Sequence, residues 1–201
     1  MSSSPIPPRL PPLIYINGYP GIGKRTIGQQ LISQLPHPAK LFDNHLLIDP
    51  VAALLDRHSP EYQPLRKRLR STVLSAVSHS SELREATIVF TDQQSSSELG
   101  SSVAKEYEKA AIQRGSDFIS IRLTCTEGEN LRRATSTART QGNKTKLTDV
   151  DILKRIIREE DIYAFGGKTE LTIDVTLLSA VEAAICISSF VEMVQRQEYD
   201  M

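Results

Sequence analysis

Leu13-Ile14-Tyr15-Ile16-Asn17-Gly18-Tyr19-Pro20-Gly21-Ile22-Gly23-Lys24-Arg25-Thr26 decides how the rest of the chain is read. Residues 13–16 are continuously apolar and rich in β-formers, as in a short strand buried on both faces. A Gly/Pro cluster follows, then a helical segment from about Lys24 to Leu35, which Pro36 and Pro38 end. Gly18 to Lys24 satisfies G-x-x-x-x-G-K between that strand and that helix. Glycines there take backbone angles closed to other residues and let the main chain approach an anion. Loop N–H groups and the positive end of the following helix converge on phosphate oxygens. Lys24 adds a mobile point charge for the β- and γ-phosphates of a nucleoside triphosphate. The candidate nucleotide-binding set is therefore Gly18, Gly21, Ile22, Gly23, Lys24, Arg25 and Thr26; the competing reading is a plain Gly/Pro turn. Arg25 occupies the position where many such loops carry the Ser or Thr that ligates Mg²⁺. Thr26 follows, about 100° further round the helix. Its hydroxyl is the candidate metal ligand in the loop, or else it meets a phosphate and Mg²⁺ is held through water or by a carboxylate elsewhere.

Outward from this stretch, strand and helix patterns alternate. Strands are expected at 40–42, 87–91, 118–125 and 171–175. Helices are expected at 46–55 (interrupted by Pro50), 61–77, 103–114, 129–134, 149–163 and 181–194, the last opening with the capping box Ser179-x-x-Glu182. Alternation of this kind calls for parallel strands joined by right-handed crossovers. The expected fold is a three-layer α/β/α sandwich on a five-stranded parallel sheet. Ligands in such a sheet sit at the carboxyl ends of the strands, where the glycine-rich loop, Asp43 and Asp92 all fall.

The chain has 201 residues, enough for one α/β domain, expected over 13–197 behind a disordered Ser/Pro-rich arm at 1–12. Aromatic residues are only 5% of the chain, so an aliphatic core is expected. The 24 basic residues balance 24 acidic ones. With no basic stripe and no acidic tail, a nucleic-acid partner is not expected and an anion site must be built locally by geometry. Cys125 and Cys186 each lie in an apolar run without metal or disulfide spacing, and read as core residues in a reducing compartment. No stretch reads as a signal peptide or a membrane span, so cytosol is the default and no membrane partner is expected. Nothing in the sequence fixes an oligomeric state.

Gly18-x-Pro20-Gly21-x-Gly23-Lys24-x-Thr26 resembles the phosphate-binding loop (P-loop) of the nucleoside-monophosphate-kinase-like small-molecule kinases, a group that includes adenylate kinase, shikimate kinase, gluconate kinase and chloramphenicol phosphotransferase. The likeness extends to a group of poorly characterised microbial P-loop proteins labelled AAA-family ATPases or shikimate-kinase-like. It is carried by Gly18 to Ile27, Phe42-Asp43-Asn44-His45-Leu46, Arg122-Leu123-Thr124-Cys125, Arg132-Arg133, Arg139 and Lys146-Leu147-Thr148-Asp149. The resemblance implies ATP and Mg²⁺ as cofactors and a small-molecule substrate. It also implies a lid at about 132–149, whose Arg133 and Arg139 close over ATP and stabilise charge on the transferring phosphoryl group; the other reading is a solvated basic loop. Guanidinium forks suit phosphate oxygens.

Asp43, at the end of the second strand, falls near where those kinases place an acidic residue that orients the acceptor. A carboxylate there can take the proton of an attacking hydroxyl; the alternative is a helix cap. His45 is a candidate substrate contact or a structural histidine. Asp92 closes an apolar strand in the manner of a Walker B carboxylate, which can hold Mg²⁺ through water, although Asp also simply begins turns. Arg66 and Arg70, at i and i+4, share a helix face and can receive an anionic substrate or stand as solvated charges. The function expected is ATP-dependent phosphoryl transfer to a small-molecule hydroxyl or phosphate. The alternatives are an NTP hydrolase, or a non-catalytic nucleotide-binding protein, which Arg25 favours. Asn143-Lys144-Thr145-Lys146 starts like a guanine-reading motif but ends in Lys, which counts against a GTPase.

Overall fold

The computed structural model describes residues 10–36, 38–136 and 149–196. Five parallel strands form one sheet in the order β2-β3-β1-β4-β5: β1 (Leu10–Asn17), β2 (Ala39–Asp43), β3 (Thr87–Asp92), β4 (Ser116–Thr124) and β5 (Glu170–Asp174). Among the described residues, seven α-helices connect or follow them: α1 (Lys24–Ile32), α2 (His45–Ala52), α3 (Tyr62–His79), α4 (Glu98–Arg114), α5 (Glu127–Ala134), α6 (Val150–Glu159) and α7 (Ala180–Arg196).

Successive side chains of the buried strands point to opposite faces of the sheet, and each set meets its own helix layer. Ile14, Ile16, Val89, Ile121 and Leu123 pack against Ile27 and Leu31 of α1 and Ala184, Ile187 and Val191 of α7. Leu13, Tyr15, Ile88 and Phe90 point to the other face and meet Leu74 and Val77 of α3 and Val103, Tyr107 and Ala111 of α4. The first layer is aliphatic as expected, but the second concentrates the scarce aromatics. Tyr15 stands 4.8 Å from Tyr107 between ring centres, Phe90 5.0 Å from Tyr107, and Phe118 4.8 Å from Phe165. Such offset and edge contacts add to plain area burial.

Several boundaries move from the sequence expectation. Strand β1 begins at Leu10 and so includes Pro11 and Pro12, within the expected arm. The prolines are tolerated because the ladder to β4 shifts register between Leu10 and Leu13, and pairing with β3 begins only at Leu13. Residues 1–9 lie outside the described residues. Helix α4 starts at Glu98, where the Ser97 hydroxyl accepts the Gly100 N–H at 3.1 Å. The capping box at Ser179 and Glu182 forms as read, with reciprocal bonds of 2.8 and 3.2 Å. Cys186 is exposed on α7 and Cys125 is half-buried, so neither is a plain core residue. The inward stripe of α7 runs through Ala183, Ala184, Ile187 and Val191, leaving 186 on the outer side. Among the described residues, no helix is long and apolar enough to cross a membrane.

Candidate active site

Strand β1 lies between β3 and β4, and the chain leaves it in one direction through α1 to β2. From β3 it returns the other way through α4 to β4. The carboxyl edge at this reversal is where α/β sheets open a crevice, and the glycine-rich loop fills it. Gly21 and Gly23 have φ of 89° and 105°, a region that side chains with a Cβ rarely enter. Gly18 packs against β4: a Cβ there would stand 3.1 Å from the Leu123 carbonyl oxygen. Gly23 caps α1 with no side-chain bond, so the first-turn N–H groups keep their capacity for an anion. The Lys24 ammonium folds back over the loop and donates to the carbonyls of Gly18 at 2.6 Å and Tyr19 at 2.8 Å. Arg25 and Thr26 are exposed in the same turn.

Helix α5 braces this loop from behind. The Asn130 amide donates to the Pro20 carbonyl at 2.7 Å, and Ala134 sits where a Cβ on Gly21 would meet its Cβ at 2.7 Å. The Arg133 guanidinium donates to Glu129 Oε1 at 2.6 Å, the Ile22 carbonyl at 3.2 Å and the Val175 carbonyl at 2.8 Å. Its fork therefore faces the protein, tying the loop to the turn after β5. Glu129 also accepts two bonds from Arg132. Hydrogen bonds first from Arg132 and then from Arg133 hold its carboxyl down at about 2. Arg139 and the basic residues Lys144 and Lys146 lie outside the described residues.

Asp43, Asn44, His45 and Asp92 come together at the carboxyl ends of β2 and β3. Asp43 Oδ1 accepts the His45 N–H at 2.9 Å, the first N–H of α2, whose cap position is Asn44, while Oδ2 accepts the Thr91 hydroxyl at 3.1 Å. Each oxygen retains a second lone pair. His45 Nδ1 lies 3.3 Å from Asp49 one turn along α2. Asp92 is buried, and both its oxygens are engaged: Oδ1 by Asn44 Nδ2 at 2.6 Å and Gln93 N at 2.8 Å, Oδ2 by Gln94 Nε2 at 2.9 Å. The Tyr107 hydroxyl bonds it too; burial first, then the Asp92 charge, pushes that phenol well above its ordinary range. A metal bound directly to Asp92 would have to displace these donors.

The two helix-face arginines part company. Arg70 is buried and paired with Glu106, at 2.6 Å through Nε and 3.3 Å through Nη2. Arg66 reaches Asn44 Oδ1 at 3.4 Å, and its buried Nε has no partner among the described residues. An orphaned donor on a side chain that touches Asn44 is the kind of group a ligand acceptor satisfies. Sequence reading did not single out Asn17, Gln94 or Asn130. Asn17 Nδ2 donates to the carbonyls of Gln94 at 2.9 Å and Tyr163 at 3.3 Å, and its Oδ1 accepts the N–H groups of Gly18 and Gln94. An Asn directly before the first loop glycine was the available signal. Among the described residues no three His, Cys, Asp or Glu side chains converge to hold a metal ion; Mg²⁺ bound with a nucleotide would keep phosphate oxygens and water among its ligands. The loop geometry and the Thr26 hydroxyl fit such a metal–nucleotide pair.

No protein-family model matches the sequence, and no curated protein does. Solved structures share its shape. The gluconokinase of Sinorhizobium meliloti 1021 aligns with a TM-score of 0.57 at 15% identity, over 96% of this chain and 98% of that one. The APS kinase CysC of Mycobacterium tuberculosis aligns at 0.60 and 15%, over 92% and 99%. The shikimate kinase of Acinetobacter baumannii aligns at 0.55 and 17%, over 93% and 96%. At these identities the likeness is one of fold, and it runs nearly end to end in each case. The chain has the fold of the nucleoside-monophosphate-kinase-like P-loop kinases.

Proposed function

We propose that the protein transfers the γ-phosphoryl group of ATP to a hydroxyl or phosphate of a small anionic molecule. The observation that carries this reading is the pairing of two anion-seeking groups at one sheet edge: the Lys24 cradle after β1, and Arg66, which reaches Asn44 and whose Nε has no partner among the described residues. The first suits the triphosphate and the second a charged acceptor. The Mycobacterium tuberculosis APS kinase was solved with AMPPNP and APS, a nucleotide and a small acceptor on the same fold. In this reading Lys24 and the loop amides hold the phosphates, and Asp43 accepts the proton of the acceptor hydroxyl through a remaining lone pair. His45 borders the acceptor. Arg66 orients it, while Arg70 acts only by buttressing from its pair with Glu106. Arg133 positions the loop, and Arg139, which lies outside the described residues, keeps the role the resemblance implies, approaching the transferring group. Mg²⁺, bound with ATP, neutralises phosphate charge. Thr26 is its candidate hydroxyl, and Asp92 serves it at most through the side chains it orders.

Asp92 with both carboxylate oxygens already accepting hydrogen bonds, together with Arg25 at the usual metal-ligand position, favours a second reading: nucleotide binding without transfer. ADP formation from Mg·ATP separates the two, measured on the wild type, Lys24→Ala and Asp43→Ala, with and without pooled hydroxyl-bearing metabolites. Metabolite-dependent turnover lost in both variants supports the kinase. Turnover that ignores the metabolites and survives Asp43→Ala indicates an NTP hydrolase. Nucleotide binding with no turnover supports the second reading.

A further inference from the structure

Asp92, Asn17 and Arg122 stand in register across β3, β1 and β4, so their side chains share one row on the α3/α4 face of the sheet. A strap crosses this row above Asn17. It is made where residues 94–96 pair with 161–163: the Tyr163 N–H donates to Gln94 O at 3.0 Å, and the Ser96 N–H to Asp161 O at 2.7 Å. On the Asp92 side of the strap lies the candidate acceptor site. On the Arg122 side lies a separate cleft of about 570 Å³, lined by Tyr19, Ser101, Lys105, Arg122, Asp161 and Tyr163 among others. Its size falls in the ordinary range for small-molecule pockets.

The chemistry of the cleft is specific. Lys105, exposed on α4, has no hydrogen bond or ion pair among the described residues. Arg122 uses only Nε, on the Thr172 hydroxyl at 3.1 Å, so both of its terminal nitrogens keep their donors. Two cations without carboxylate partners among the described residues thus face one hollow, and a guanidinium fork beside an ammonium suits a phosphate dianion. Around them are groups for a polyhydroxylated body: the Asp161 carboxylate, the Ser96 and Ser101 hydroxyls, and the rings of Tyr19 and Tyr163. Tyr19 is held toward the cleft by its hydroxyl, which donates to Glu160 O at 2.6 Å.

We propose that this cleft is a second ligand site, separate from the phosphate cradle, and that it takes a small hydroxyl-bearing phosphomonoester of the sugar-phosphate class. Arg122 and Lys105 grip the phosphate, Asp161 and the serines read hydroxyls, and a tyrosine ring covers the apolar face of the sugar. The site does not depend on phosphoryl transfer and is tested without ATP.

The experiment is calorimetric titration of the full chain with ribose 5-phosphate, glucose 6-phosphate and inorganic phosphate, repeated on Arg122→Gln, Lys105→Gln and Lys24→Ala. Lys105 has no partner to lose among the described residues, so its variant is expected to keep the fold, and circular dichroism checks all three variants. The expected result is that at least one sugar phosphate binds the wild type. Arg122→Gln and Lys105→Gln each weaken it about tenfold or more, the worth of a charge-assisted hydrogen bond, while Lys24→Ala retains it. Three results overturn the proposal: no sugar phosphate binding at millimolar concentration; binding lost with Lys24→Ala but indifferent to either cleft variant; or inorganic phosphate binding as tightly as its esters.

Discussion

Gly21 carries two separate constraints and Gly23 only one, so a pair of alanine substitutions can take the loop apart energetically. Both have positive φ, 89° and 105°, and placing a Cβ in that region costs about 1–2 kcal/mol. For Gly23→Ala the cost ends there, since the new methyl meets nothing nearer than Ile27 Cδ1 at 3.9 Å. For Gly21→Ala the methyl stands 2.7 Å from Ala134 Cβ and 3.1 Å from Ala134 Cα at the end of α5. Either the loop or the helix must shift, and overpacking of this kind adds about 1–3 kcal/mol. The expected losses of stability are about 1–2 kcal/mol for Gly23→Ala and about 2–5 kcal/mol for Gly21→Ala. Removing the opposing methyl with Ala134→Gly relieves the Cβ–Cβ contact, so the double-mutant cycle shows a favourable coupling of about 1–3 kcal/mol. Urea unfolding of the four proteins measures all these terms. Equal destabilisation by the two glycine substitutions, with no coupling to Ala134→Gly, would refute the claim that α5 is seated on the loop.

Other outcomes follow from the same bracing. Asn130→Ala removes the amide on the Pro20 carbonyl; it is expected to cost about 1–3 kcal/mol in urea unfolding and to weaken binding of a non-hydrolysable ATP analogue, and unchanged values of both would contradict it. Glu129, held at about 2 against an ordinary 4.5, binds its proton later in the native than in the unfolded state. Its contribution is therefore complete above pH 4.5 and is lost as pH falls toward 2. The urea midpoint of Glu129→Gln should fall less steeply than that of the wild type across this window, and parallel curves would count against the Arg132–Glu129–Arg133 arrangement. Arg114 is buried and donates to the carbonyls of Leu83, Arg84 and Ala86. Arg114→Ala leaves these acceptors unmatched and is expected to destabilise by about 2–4 kcal/mol, read by thermal unfolding.

The architecture was legible because it rests on local signals. Apolar runs of strand length alternate with helical spacing, and the glycine-rich loop fixes which end of the sheet carries the site. Asp43 and Asp92 could be placed there from strand ends alone. Their bonds could not: the Asn44–Asp92 contact spans 48 positions and the Asn130–Pro20 contact 110, and no periodicity encodes such pairs. Arg66 and Arg70 look alike on one helix face, yet Glu106 on the neighbouring helix α4 takes one and leaves the other. Arg133 looked like a residue that closes over ATP, and tertiary packing turned its fork toward the loop carbonyls. Pro11 and Pro12 read as strand breakers, and a register shift absorbs them.

The central claim concerns where the phosphoryl group goes. The most direct measurement follows γ-labelled ATP, incubated with Mg²⁺ and a mixture of small hydroxyl-bearing anions, by mass spectrometry of the products. The account predicts label in an organic phosphate with the wild type, and loss of that product with Asp43→Asn while the ATP analogue still binds. Label found only in inorganic phosphate, or an organic product undiminished by Asp43→Asn, would contradict it.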